Sequence, residues 1–364
     1  MTIKPDKQQY NNIVWIRGIT SLIVVLGHAL SDVIREMPAV IQEGGTPNLT
    51  YQVMIALNAF IYTFHMPLFM SVSGFLFFKE IRKLKEYTYT EGAYATEIKD
   101  FRSFVVKKFY RLMIPFLIVM YFWRKPIMIF ISGWNNPDGS MLQKLREYIT
   151  FSTTGALWYL YVLFAIFIFQ KMFIKLIWRN GKTAVASFII FAVMNYAGSF
   201  LSGPIHHFMV YNFFFFIGCV IHRYWEKINE RKNLGIIFAI SLVFTATIIC
   251  DTLELVFVAT PLKNGMNLVV AVADILLVYK LTGGIQEKSV PKKVLFLDNV
   301  SMGSYLFHGP IILAILAVNR VMINGFALTV VCFVIGYTGA VILTLIVRRL
   351  HLHFVLGEGR VKCI

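Results

Sequence analysis

Apolar residues run through this chain in long blocks, each ended by charged or turn-forming residues. Ten blocks stand out, at roughly 13–34, 51–78, 105–123, 156–176, 184–200, 209–222, 234–250, 265–282, 301–319 and 325–347. About 20 apolar residues in a helix span the hydrocarbon core of a bilayer. The pattern therefore predicts an all-α, polytopic integral membrane protein with about ten transmembrane helices. The blocks at 184–200 and 209–222 are short, and residues 126–133 either extend the third span or lie at the interface. No separate soluble domain fits. Residues 1–364 read as a single membrane domain with a basic cytoplasmic loop at about 79–111, and its Tyr-rich first part suits an interfacial helix.

Polar residues inside the blocks carry the candidate chemistry. The first block holds Arg17 and His28, eleven residues apart. At about 100° per residue that is three turns plus roughly 20°, so they share a helix face. Ser21 and Ser31 fall on the same face. In the second block Asn58 and His65 are seven apart, with Tyr62 near them and the small pair Ser73-Gly74 further on. In the ninth, Ser301, Ser304, Tyr305 and His308 form a stripe at i, i+3, i+4 and i+7. In the eighth, Asn267 and Asp274 are seven apart, and Asp274 is the only carboxylate well inside a block. A lone intramembrane histidine or asparagine is ordinarily an interhelical hydrogen-bonding group. Three histidines together with Arg17 are a costlier set, of the kind that gathers at functional sites. No HxH or HExxH spacing supports a metal.

Composition agrees with the membrane reading. The chain is 57% hydrophobic and 15% charged, with mean hydropathy +0.67, against about 45–50% and 25% in soluble domains. The net charge of +16 is distributed in a way that argues against nucleic acid. With the N-terminus placed in the cytoplasm, 27 of the 35 Lys and Arg fall on that side, 7 fall on the other, and Arg17 lies within the first block. The positive-inside rule then sets both termini in the cytoplasm, with the cations facing anionic lipid and an anionic cofactor. Cys219, Cys250, Cys332 and Cys363 form no CxxC and read as reduced residues. The first block is too long and too polar for a cleavable signal peptide.

Five segments in order resemble a known family. Residues 16–30, IRGITSLIVVLGHAL, are similar to the first-helix signature of the membrane acyltransferase 3 family, where an Arg precedes a His by about three turns. FHMPLFMSVSGFLF (64–77) resembles its second-helix motif, especially in the branch related to fucose O-acetylases. KKFYRLMIPF (107–116), LWYLYVLF (157–164) and GSYLFHGPI (303–311) resemble its basic segment before the third helix, its Leu-Trp-Tyr/Phe-Leu motif and its late Tyr-x-x-His motif. One departure is that many members carry an acid three residues before the Arg, where this chain has Val14; Asp274 is a candidate substitute.

The resemblance implies a bacterial-type plasma-membrane O-acyltransferase. It would move an acetyl or similar short acyl group from cytoplasmic acyl-CoA, acetyl-CoA first, to a hydroxyl of a cell-surface or lipid-linked glycan, with a polysaccharide synthase as a possible partner. It assigns the proton-removing role to His28. Arg17, Lys107, Lys108 and Arg111 are candidates for CoA phosphates, and Arg17 equally for a partner acid. His65, Ser73, Trp158, Asp274, Tyr305 and His308 are candidates for the acceptor side. Two other classes fit the same polar stripes: a glycan exporter or flippase without chemistry, and a proton-coupled transporter using Asp274 and the histidines.

Overall fold

The computed structural model describes residues 11–36, 49–82, 93–132, 142, 155–230, 233–285, 289–318 and 324–359. Among them there is no strand, and ten long helices follow the ten apolar blocks in order. The first two are α1 (Asn11–Glu36) and α2 (Leu49–Arg82). The third, α3, joins Ala93–Lys108, a π turn at Phe109–Met113, Ile114–Val119, a second π turn at Met120–Arg124 and Lys125–Ser132. A 3-10 turn at Gly155–Leu157 then leads into α4 (Trp158–Ile177), followed by α5 (Gly181–Gly198) and α6 (Gly203–Arg223). The last four are α7 (Leu234–Thr252), α8 (Thr260–Gly283), α9 (Lys292–Val318) and α10 (Gly325–Arg349). Nine helices among the described residues are long and apolar enough to cross a membrane; the 18-residue α5 is not one of them. Residues 126–132 extend the third helix rather than leaving it.

The centre of the bundle is aromatic. Phe75, Phe77, Phe215 and Phe216 are fully buried where α2 crosses α6, and burying each such side chain stabilises the fold by about 1.5–3 kcal/mol. The crossing is close because a Cβ on Gly74 would overlap the Phe215 carbonyl, and one on Gly218 the Ser71 carbonyl. Cys219 donates its thiol to the Gly74 carbonyl at 3.3 Å. The outward sides of α5, α7 and α10 expose Ile189, Val193, Leu242, Val334 and Ile342, as lipid-facing surfaces do.

Both π turns precede a proline. Pro115 and Pro126 lack the amide hydrogens that would bond the Arg111 and Phe122 carbonyls in an α-helix. The chain instead closes wider rings, with Ile114 N–H on the Phe109 carbonyl and Lys125 N–H on the Met120 carbonyl. Such π turns recur at functional sites. Here each delivers an arginine, Arg111 from the first and Arg124 from the second.

Candidate active site

A cavity of about 1190 Å³ enters the bundle from the face that carries the N-terminal end of α1. Arg17, Lys107, Lys108, Arg111 and Arg348 border it, so this face is strongly basic. Lys108 Nζ also sits over the rings of Phe167 at 4.2 Å and Phe104 at 5.0 Å. Deeper in, the lining turns apolar and aromatic at Val24, Met66, Phe69, Tyr159 and Tyr305. Of the other basic residues of the 79–111 loop, those from Lys79 to Lys99 have side chains outside the described set, and Arg102 is exposed.

The partner of Arg17 is Asp298 of α9, which corrects the expectation for Asp274. Arg17 Nε and Nη2 donate to the two Asp298 carboxylate oxygens at 2.7 and 2.6 Å. This bidentate geometry is the strong form of the pair, and it makes Arg17 a tie between α1 and α9 at the edge of the cavity. Asp274 accepts hydrogen bonds from Ser241 of α7 and, at 3.4 Å, Thr63 of α2, and stands only 6% exposed. It ties three other helices together and does not line the cavity.

The chain beyond α10 completes the cavity's floor. Residues His353–Leu356 form a 3-10 turn, and Phe354, Gly357 and Glu358 border the cavity. Arg348 holds this segment through Glu358 at 2.5 and 3.0 Å and the Asn299 carbonyl at 2.6 Å. Gly357 has φ +65° and rests on the Arg111 carbonyl, where a Cβ would overlap it. The wide first π turn and this glycine are thus matched surfaces.

From the inner end of the cavity a file of polar rings leads onward. Ser73 and Tyr159 hydroxyls meet at 3.1 Å, and Tyr159 lies 5.7 Å from Tyr305, ring centre to ring centre. Tyr305 donates to the Ala156 carbonyl and stands 6.3 Å from His308. His308 is 5.1 Å from His28, His28 is 6.4 Å from Tyr62, and Tyr62 is 4.7 Å from His65. The three histidines predicted from separate helices therefore belong to one chain of contacts. A carbonyl can only accept, so Nδ1–H donates in both His65, to Ile61 at 2.7 Å, and His308, to Ser304 at 2.8 Å. The opposite nitrogen of His308, Nε2, is then an acceptor, buried and without a hydrogen-bond partner.

Arg124 joins this group unannounced by the sequence, which read it as part of an outer loop. Its guanidinium occupies the space a side chain at Gly155 would take and lies next to Gly309, the residue after His308. Gly155 also has φ +51°, a conformation that glycine adopts without steric penalty. Arg124 acts electrostatically on His28, His308 and Tyr305. Trp158 sits elsewhere, stacked on His207 at 4.0 Å and tilted against Tyr211 at 4.8 Å. Among the described residues no group of three or more His, Cys, Asp or Glu is placed to share a metal ion.

The model of the acyltransferase 3 family, described as an acyltransferase domain, matches residues 10–348. No curated protein and no solved structure matches the chain.

Proposed function

The chain belongs to the membrane acyltransferase 3 family, and from that premise we propose that it carries an acetyl or similar short acyl group from acyl-CoA to a hydroxyl of a cell-surface or lipid-linked glycan. The observation that supports this reading is the continuity of the basic cavity with the histidine file. Its basic mouth suits the phosphates of CoA, and its apolar, aromatic end suits the thioester. In this reading the membrane is a bacterial-type plasma membrane and the basic face is its cytoplasmic face, which the positive-inside distribution of cations supports.

In this reading His28 takes the proton from the acceptor hydroxyl. The hydroxyl oxygen bonds to the acyl carbon as the carbon–sulfur bond breaks, and the imidazolium returns its proton to the departing thiolate. His308, with Nδ1–H fixed on Ser304, offers Nε2 as acceptor to the N–H on the His28 nitrogen that does not face the substrate, which steadies the imidazolium. Arg124 places positive charge where the carbonyl oxygen becomes negative. Lys107, Lys108 and Arg111 hold phosphate, while Arg17 maintains the cavity wall through Asp298. Ser73 and Tyr305 shape the passage between the two ends.

Purified protein given labelled acetyl-CoA and a glycan acceptor tests the proposal by transfer of label. Failure to consume acyl-CoA with any glycan would favour an exporter. Reporter fusions after residues 45, 90 and 140 should read outside, inside and outside; any other order refutes the orientation.

A further inference from the structure

The bundle holds a second cavity, about 570 Å³, on the face opposite the basic one. It lies among the ends of α1, α2, α5, α6, α7 and α8 that are remote from the first cavity. Its polar lining is mainly amides and hydroxyls, among them Asn58, Asn195, Asn264, Asn267, Tyr62 and Tyr211, with the imidazole of His206. No Lys, Arg, Asp or Glu lines it. The nearby charges lie outside the lining: Asp251 pairs with Lys263 at 2.5 Å and accepts from the Val258 amide, Asp274 accepts from Ser241 and Thr63, and Asp32, within electrostatic reach of Tyr62, pairs with Arg35 at 3.1 Å.

Two of its amides are incomplete. Asn58 Oδ1 and Asn264 Nδ2 are buried and have no hydrogen-bond partner. A buried polar atom left so costs about 1–3 kcal/mol, and a fold keeps such atoms where something else supplies the bond. One is an acceptor and the other a donor, so the missing partner must both give and take hydrogen bonds. A hydroxyl does both. His206 also lines the cavity; its Nδ1–H donates to the Gly198 carbonyl at 2.8 Å, so in the neutral ring Nε2 is a further acceptor. Tyr62 and Tyr211 offer aromatic faces to the C–H side of a sugar ring, and Trp158 backs Tyr211.

Tyr62 connects this cavity to the chemistry. It lines the cavity, packs edge-on to His65 at 4.7 Å and reaches His28 at 6.4 Å. We propose that the second cavity is the acceptor site and that it takes an uncharged, polyhydroxylated glycan segment, presenting one hydroxyl past Tyr62 toward His28. This rests on the acyl-transfer reading above and adds a place and a charge class for the acceptor. A phosphate or carboxylate ligand would meet no Lys or Arg in the described lining, and a lipid tail would leave the amides unsatisfied.

The test uses the full-length protein in lipid nanodiscs and measures binding apart from turnover. Saturation-transfer NMR is recorded with neutral chitotriose and maltotriose and with anionic trigalacturonate. Binding of a neutral trisaccharide, at least tenfold weaker in Asn264→Leu or Asn58→Leu with acetyl-CoA binding unchanged, supports the site. Asn264→Gln, which keeps the amide, should recover part of the loss. Equal binding by the Leu variants, stronger binding of trigalacturonate, or no neutral binding by protein that still acylates its own acceptor overturns it. Neutral glycan binding without any acyl-CoA consumption would sustain the site and defeat the acyl-transfer reading instead.

Discussion

The two cavities differ in charge as sharply as two sites in one bundle can. The first is bordered by five cationic side chains, and the second has none in its lining. The first passes from charge to aromatic carbon, whereas the second mixes amides, hydroxyls and the His206 imidazole with apolar side chains. Between them stand His28, His308 and Tyr62, with Arg124 at the side of the path and the Asp32–Arg35 pair within electrostatic reach of Tyr62. The difference teaches how one membrane domain can keep two substrates apart. In the proposed division, cations at one face would hold a phosphate-bearing donor, neutral hydrogen bonds at the other would hold a neutral acceptor, and only the reacting groups would meet.

The largest effect should come from the meeting point. His28→Ala should lower acyl transfer by about 10²–10⁴-fold with acyl-CoA binding retained, followed by label transfer; wild-type turnover would break the division of labour. Next, Arg124→Gln should lower kcat by about 10²-fold with KM for acyl-CoA unchanged. If KM moved instead, Arg124 would belong to the donor side. Arg17→Ala leaves Asp298, a largely buried carboxylate, without its cation, and should cost about 3 kcal/mol. The measurement is thermal unfolding, and Arg17→Met with Asp298→Asn should recover most of the loss. A single variant as stable as the wild type would deny the tie.

Smaller effects belong to the cavity mouth. Arg111→Ala should raise the KM for acyl-CoA about tenfold, the loss of one charge-assisted contact, with kcat little changed. High salt should shrink the difference. Gly357→Ala forces a Cβ into left-handed backbone and onto the Arg111 carbonyl, at about 1–2 kcal/mol. Donor KM should rise a few-fold while neutral glycan binding stays the same, and a change in glycan binding alone would contradict the separation.

The helices were legible because charge ends each apolar block, and bilayer thickness leaves little choice of length. His28, His65 and His308 were legible because ionisable groups are costly inside a membrane. Asp298 was missed although its signal was present: Asp298, Ser301, Tyr305 and His308 fall at i, i+3, i+7 and i+10, and the stripe begins one turn before the ninth block. Arg124 was not legible, because its position depends on two π turns that displace the helical period. The floor at 350–359 carries no apolar run. The second cavity gathers side chains from several helices, and no local pattern records that assembly.

The paired π turns have a consequence for how this helix tolerates change. Each takes one residue more than an α turn needs, so α3 runs two residues out of phase by the time it reaches Lys125. Deleting one residue within 109–113 would let that turn close as an α turn, shortening α3 by about 1.5 Å with the helix beyond it kept in phase. A deletion within Ile114–Val119, where no residue is spare, would instead turn everything beyond it by roughly 100° and swing Arg124 out of its slot beside Gly155 and Gly309. The two π turns are therefore the places where this span can lose length without losing the aim of Arg124.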